Sequence, residues 1–470
     1  MSQEYAPTRS GTWWLRPAGM IMSAYLLVLG IGVLLLLLPM AKQGPGGANL
    51  MQAAFTSTSV VCVTGLAVVD TATFWSGFGH VVIFGLCEIG GLGVMTLTSL
   101  MLVRLSQRLG LRARVSTGAE AGGYAPGNVL AVAAAVVRVA LLVQGSIALV
   151  LALRFWLHYH YGVAQAAWMG VFHSASAFNN LGYALFSDNL IGFASDWWII
   201  LPLCLGVIVG GLGLPVLMEL WRHRRWLGQR AQQLILRSPQ AKTRRPRWTV
   251  HTRMMLVGTV ALLVIGFGLL LTTEWRNPAT LGPMGVPQKI LAAIGLSAFP
   301  RTGGFNSVDL TQLRPDSWFI TDILMFIGAG PASTAGGLKI TTVAVVIAMA
   351  VTEIRGNSDT RIFDRTMPRG TQRTAVAVVT VFVGVVLTAT GLLLATSPFP
   401  LSSVLTEVIS AMSTVGLSAG ITAQLDGMDQ IVLMVLMFIG RLGPVTFAAA
   451  LALNTRTRMF ALPEERPFIG

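Results

Sequence analysis

VCVTGL, residues 61–66, closes a moderately apolar segment on a glycine turn, and a long apolar run follows it. The same arrangement returns in FNNLGY at 178–183, RTGGFN at 301–306 and STVGLS at 413–418. Gly65, Gly182, Gly304 and Gly416 are spaced by about 117, 122 and 112 residues, and a period this regular marks an internal repeat. Each unit reads as apolar helix, short half-crossing, glycine turn and second apolar helix. That order gathers four backbone loops at one membrane axis, as an ion-conducting pore requires.

Hydrophobic residues make up 54% of the 470 and charged residues 11%, with a mean hydropathy of +0.69. A soluble core of this length could not hide so much apolar surface, so the chain is an integral membrane protein. The formal charge of +14 does not indicate nucleic acid, because the basic residues fall between apolar runs rather than on one face. Cys62, Cys87 and Cys204 are too scattered for a disulfide framework or metal cluster and are expected to be packing residues. The run 19–40 is long enough to span and is expected to stay attached.

The expected fold is all-α and polytopic. Eight transmembrane helices fall at 20–38, 74–103, 129–155, 197–220, 254–274, 318–351, 375–396 and 431–453. Four re-entrant pore helices, at 50–61, 164–178, 286–299 and 401–413, are too short to cross. The repeats divide as 1–115, 116–250, 251–372 and 373–470, around a pseudo-fourfold pore.

Basic residues set the orientation. Arg104, Arg108, Arg112 and Arg114 follow the first pair of spans. Arg222, Arg224, Arg225, Arg230, Arg237, Lys242, Arg244, Arg245 and Arg247 follow the second, and Arg355, Arg361, Arg365, Arg369 and Arg373 the third. The termini carry Arg9, Arg16, Arg456 and Arg458. These segments, both termini included, are expected on the cytoplasmic side of the cell membrane. The glycine turns then open outward, close to Asp70, Asp188, Asp196, Asp309, Asp316, Asp426 and Asp429, opposed only by Arg314. Those carboxylates read either as a mouth that concentrates cations or as ordinary solvated loop charge.

A bare monovalent cation must exchange its water shell for oxygens at fixed distance, and backbone carbonyls from four loops can supply them. Glycine lets successive carbonyls point the same way, and each preceding pore helix aims the negative end of its dipole at the axis. Gly90, Gly210, Gly328 and Gly440 repeat the pattern in the following spans. Close helix packing by small residues explains one such glycine but not four at even spacing.

SVVCVTGLAVVDT (59–71), HSASAFNNLGYALFSDNL (173–190), SAFPRTGGFNSVDL (297–310) and EVISAMSTVGLSAGITAQL (407–425) resemble the pore loops of the Ktr/Trk/HKT superfamily. FIGAGPASTAGGLKITT (326–342) and FIGRLGPVTFAAAL (438–451) resemble two of its inner helices, so the likeness covers nearly the whole chain. It implies potassium uptake through a selectivity filter built by Val63, Thr64 and Gly65; Asn180, Leu181 and Gly182; Thr302, Gly303 and Gly304; and Thr414, Val415 and Gly416. The metal is K+ alone, as substrate, held through backbone carbonyls. Glycine rather than serine at position 65 is the potassium-associated choice in that family. Phe299 and Pro300 before Arg301 depart from its pattern. The resemblance also implies a homodimer carrying a cytoplasmic KtrA-like nucleotide-binding ring, with ATP or ADP on that partner only. Sodium as an activator is left open.

Gly328, Gly330, Pro331, Ser333, Thr334, Gly336 and Gly337 interrupt the sixth span, and a continuous helix does not tolerate that density of breakers. Such backbone survives at membrane depth only if protein or water satisfies it, so it is expected to line the cavity below the turns. The resemblance implies an intramembrane gating loop. Lys339 at its end reads as a charge that repels cations or as a lysine snorkelling to the interface. Arg441 lies mid-span, where an unpaired charge costs about 2.5–3.5 kcal/mol. The family's matching arginine is a barrier beneath the filter, and the alternative is a structural partner of Glu88, Asp322 or Glu407. His173 and Glu407, within pore helices, are expected to brace the turns.

No catalytic residues or enzyme activity are expected: the six histidines form no cluster, and no GxxxxGK[ST] nucleotide loop occurs. Sodium or mixed monovalent-cation translocation remains an alternative. So does secondary transport of an organic solute, although such carriers place their site on two discontinuous helices at midplane.

Overall fold

A computed structural model describes residues 17–108, 129–235 and 247–453. Arg9, Arg16, Arg112, Arg114, Arg237, Lys242, Arg244, Arg245, Arg456 and Arg458 lie outside the described residues. Four times along the chain an apolar helix leads into a short helix and then into another apolar helix. The leading helices are Pro17–Leu36, Val129–Leu157, Val250–Glu274 and Arg369–Thr396. The short pore helices are Leu50–Val61, Val163–Asn179, Val286–Ala298 and Leu401–Ser413, and the inner helices begin at Gly77, Trp197, Pro315 and Gly427.

Two of the pore helices start where side chains satisfy their first amides. Asn49 takes the Gln52 N–H at 2.7 Å while Gln52 takes that of Asn49 at 3.0 Å, a reciprocal cap. Gln288 takes the Gly285 N–H at 2.9 Å, and Pro287 occupies a first-turn position where no amide is needed.

Polarity is distributed inside out relative to a soluble protein. Leu27, Leu34, Leu142, Val264 and Leu387 are more than 60% exposed, whereas Ser59, His173, Asn180 and Glu407 are fully buried. An apolar exterior with hydrogen-bonded polar groups inside suits lipid as the surrounding solvent. Among the described residues, Gly77–Leu97, Ala133–Leu157, Val250–Glu274 and Arg369–Thr396 are long and apolar enough to cross a membrane, and Trp197–Leu212 with Leu214–Arg224 reaches that length only when the two are taken together. Cys62, Cys87 and Cys204 are all buried and unbridged.

The span expected as one helix over 197–220 is instead broken. Trp197–Leu212 and Leu214–Arg224 are bent by 105° across Gly213, whose φ is +84°. Pro215 supplies the reason: it has no N–H for the Gly211 carbonyl, and its ring would collide with that carbonyl in a continued helix. The freed groups find partners in the interrupted third inner helix, which is helical over Pro315–Phe326 and Ile340–Ile354 only. Gly330 N–H donates to Gly211 O at 2.9 Å, Thr334 N–H to Gly210 O at 3.3 Å, and Leu214 N–H to Ala332 O at 3.2 Å. Two broken helices therefore complete each other's backbone bonding at membrane depth.

Candidate functional site

The four glycine turns share one backbone form. Val63, Asn180, Thr302 and Thr414 have φ between 49° and 67°, and two residues later Gly65, Gly182, Gly304 and Gly416 have φ between 71° and 96°. A left-handed residue on either side of an ordinary one turns successive carbonyls to one side. The third turn keeps this form despite Phe299 and Pro300: Gly303 N–H and Gly304 N–H both donate to Phe299 O, at 2.7 and 3.1 Å. Arg301 points away, donating to Thr259 O on the neighbouring leading helix at 3.3 Å.

The turns form a closed ring. A methyl group placed on Gly182 would come within 2.5 Å of Gly304 Cα, and one on Gly304 within 2.5 Å of the Val415 carbonyl oxygen. On Gly416 it would run into Thr64 O, and on Gly65 into Leu181 O. Each glycine thus faces a neighbouring turn, and the carbonyls of Thr64, Leu181, Gly303 and Val415, each one residue before its glycine, converge on the space beside them. The hydroxyls of Thr64 and Thr414 are buried without a protein partner.

Serines six residues before three of the glycines hold the ring, a period that the glycine spacing alone does not single out. Ser59 and Ser410 accept the N–H of Gly65 at 3.0 Å and of Gly416 at 3.1 Å. Ser176 donates to Tyr183 O at 2.8 Å. In the third repeat Ala298 stands at this position, and the Phe299 carbonyl takes over. Between turns, Tyr183 donates to Leu66 O at 2.8 Å, and the Asn180 and Thr302 side chains are 2.8 Å apart. His173 and Glu407 brace as expected: His173 accepts the Leu185 N–H at 3.2 Å, and Glu407 accepts from Ser418, Ala419 N–H and Thr422. Removing Ser59 or Ser410 as Ala is expected to leave the protein folded, at about 1 kcal/mol each. Comparing K+/Na+ flux ratios of the single and double variants checks whether loosening the turns lowers selectivity.

Directly below the ring lies the interrupted segment. Thr334 donates to Phe178 O at 3.0 Å, and methyl groups at Gly336 or Gly337 would meet Thr414 and Ser413. Lys339 folds back on the segment, donating to Ala335 O at 2.7 Å and Gly336 O at 3.1 Å. Gly328, Pro331 and Ser333 complete it, with Ser333 donating to Gly330 O at 2.6 Å. Gly90, Gly210 and Gly440 pack against the pore-helix carbonyls of Val61, Phe178 and Met412, while Gly328 packs on Gly336 O. The residue after each is Gly91, Gly211, Ala329 or Arg441. Only the fourth repeat carries a side chain that reaches out. Arg441 donates to Thr334 O and, at 3.0 Å, to Gly90 O, bridging the interrupted segment and the first inner helix. The three carboxylates weighed as its partners bond elsewhere: Glu88 to Gln144 and Asn179, Asp322 to Thr406, and Glu407 as above.

The outer carboxylates are mostly spoken for. Asp196 is buried against Arg154 at 2.7 Å, and Asp316 pairs with Arg314 at 3.2 Å. Asp70, Asp196 and Asp309 each cap a short or inner helix, and Asp429 accepts from Thr396 at 2.6 Å. Burial works against the Asp70 charge, but donors from Ser187, Thr73 and Ala72 N–H outweigh it and hold its carboxyl below the usual range. Asp70, Asp188, Asp316 and Asp426 remain exposed.

Residues 28–458 match the family model described as TrkH, cation transport protein. The chain is 34% identical over 461 residues to Ktr system potassium uptake protein B of Bacillus subtilis, covering 97% of this chain and 98% of the relative. It is 36% identical over 450 residues to the Vibrio alginolyticus protein of the same description, covering 96% and 94%. The crystal structure of the potassium transporter TrkH from Vibrio parahaemolyticus has a similar fold, with a TM-score of 0.69 at 16% identity over 95% of this chain and 87% of that one. A family match over nearly the whole length, on a polytopic helical fold whose four glycine turns meet in a ring, places this chain in the TrkH family of cation transport proteins.

Proposed function

We propose that the protein takes up potassium across the cytoplasmic membrane through a filter lined by backbone carbonyls. The observation that carries this reading is the ring itself: the carbonyls of Thr64, Leu181, Gly303 and Val415 crowd onto neighbouring glycines, where they can replace the water shell of a desolvated alkali cation. The unpartnered Thr64 and Thr414 hydroxyls offer further oxygens. Residues 328–339 act as the gate, and Arg441 holds the segment closed by its bonds to Thr334 O and Gly90 O. The descriptions of the two relatives as protein B of a Ktr system support a separate regulatory partner subunit; its cytoplasmic position and a homodimeric membrane part belong to the same proposal. Nucleotide acts on that subunit, and sodium acts as an activator.

Purified protein in liposomes, given inward gradients of K+, Rb+, Na+ or an organic cation in turn, tests the assignment. Uptake of K+ and Rb+ well above Na+ is the expected result. Equal K+ and Na+ rates would replace potassium selectivity by general monovalent-cation transport, and solute uptake without either ion would end the pore reading. Repeating the K+ arm with and without Na+ decides activation.

A further inference from the structure

The helix after the 105° bend, Leu214–Ile235, has no part in the ring and is not spanning in composition. Its depth follows from the helix before it. Trp197–Leu212 reaches the inner end of the second pore helix, where Gly210 packs on Phe178 O, and its last turn is bonded to the interrupted segment beneath the ring. The bend therefore lies below the ring, and a turn of 105° away from that descending helix sets the next one nearly along the membrane plane. A second anchor agrees: Glu219 accepts the Thr249 N–H at 2.8 Å, at the start of the full-length span Val250–Glu274.

The faces of this helix are sharply divided. Val216, Glu219 and His223 are buried against the protein. Val216 packs with Met255 and with Ile340, the first residue after the interrupted segment. Trp221 is 41% exposed, and Arg222 and Arg224 are also exposed. Arg225, Trp226 and Arg230 follow in the sequence of the same helix. Tryptophan beside arginine, on a helix held at the inner boundary, matches the chemistry of anionic headgroups: the indole sits at their level and the guanidinium pairs with phosphate.

We propose that Leu214–Ile235 is an interfacial helix that binds anionic phospholipid of the leaflet opposite the glycine turns, with Arg222 and Arg224 contacting the phosphates. Full-length protein in neutral detergent, titrated with phosphatidylglycerol, tests this by thermal unfolding. Phosphatidylglycerol is expected to raise the midpoint, and phosphatidylcholine and soluble glycerol phosphate are not. The Arg222→Gln/Arg224→Gln protein should need about fivefold more lipid per arginine removed for the same shift. The Arg222→Lys/Arg224→Lys protein should retain most of the response, as should Arg355→Gln/Arg361→Gln, which removes charge elsewhere. An unchanged titration in the double Gln variant overturns the proposal. So does an equal shift from phosphatidylcholine or glycerol phosphate, or a shift produced only by an acidic peptide, which would make the helix a protein-docking surface. None of these readouts depends on transport, so they are separable from the potassium assignment.

Discussion

Gly65→Ser is expected to lower the K+/Na+ flux ratio at least about tenfold while leaving a folded protein. A tenfold change needs only about 1.4 kcal/mol of differential ion stabilisation, and the turn at Gly65 controls more than that. Its φ is +96°, a conformation that costs an L-residue about 1–2 kcal/mol. A Cβ there would also collide with the Leu181 carbonyl oxygen and crowd Gly416 Cα at 3.2 Å. The first turn must retreat or the Leu181 carbonyl must swing away. Either movement takes a main-chain oxygen out of register with the other three and admits a serine hydroxyl or water in its place. A smaller, more strongly hydrated ion gains from that exchange. Gly65→Ala, with the same collision and no hydroxyl, should lose rate as well as selectivity. Isotope flux in liposomes separates the two, and an unchanged K+/Na+ ratio in the serine variant would reject Gly65 as part of the filter.

Arg441→Gln is expected to raise the maximal K+ rate about tenfold or more. Two effects act in the same direction. The guanidinium bonds to Thr334 O and Gly90 O tie the interrupted segment beneath the ring, and glutamine can remake at most part of that pair. The positive charge also opposes a passing cation: at about 7 Å and an effective dielectric of about 20, roughly 2 kcal/mol disappears with it. Arg441→Lys keeps the charge but cannot fork between two carbonyls, so its rate should fall between the two. Initial K+ uptake at saturating concentration measures this, with unfolding temperature as the control for folding. Identical rates in all three proteins would leave Arg441 as packing alone.

The sequence made the four turns legible because their chemistry repeats locally. A half-length apolar helix, a residue able to go left-handed and a glycine are recognisable in any one copy, and the even spacing adds the rest. The pore-helix limits follow closely, as do the break in the sixth span and the bracing roles of His173 and Glu407. Ser59, Ser176 and Ser410, six residues before their glycines, were present in the pattern but hidden by how common serine is in short membrane helices. The bend at Gly213 escaped for another reason. GGLGLP at 210–215 contains its own signal in Pro215, but 197–218 is apolar throughout, and length read from hydropathy does not reveal direction.

Local order along the chain was enough to decide that this is a membrane protein of repeated helix, half-helix and turn, because lipid demands internally bonded backbone and glycine alone meets the required angles cheaply. What only the tertiary structure decided is who satisfies whom. The carbonyls freed at Gly210 and Gly211 are bonded by a segment about 120 residues later, and Arg441 reaches Gly90 rather than any carboxylate. Such pairings depend on four repeats closing around one axis, and hydrogen-bond partners so distant in sequence leave no mark in the spacing of residues along it.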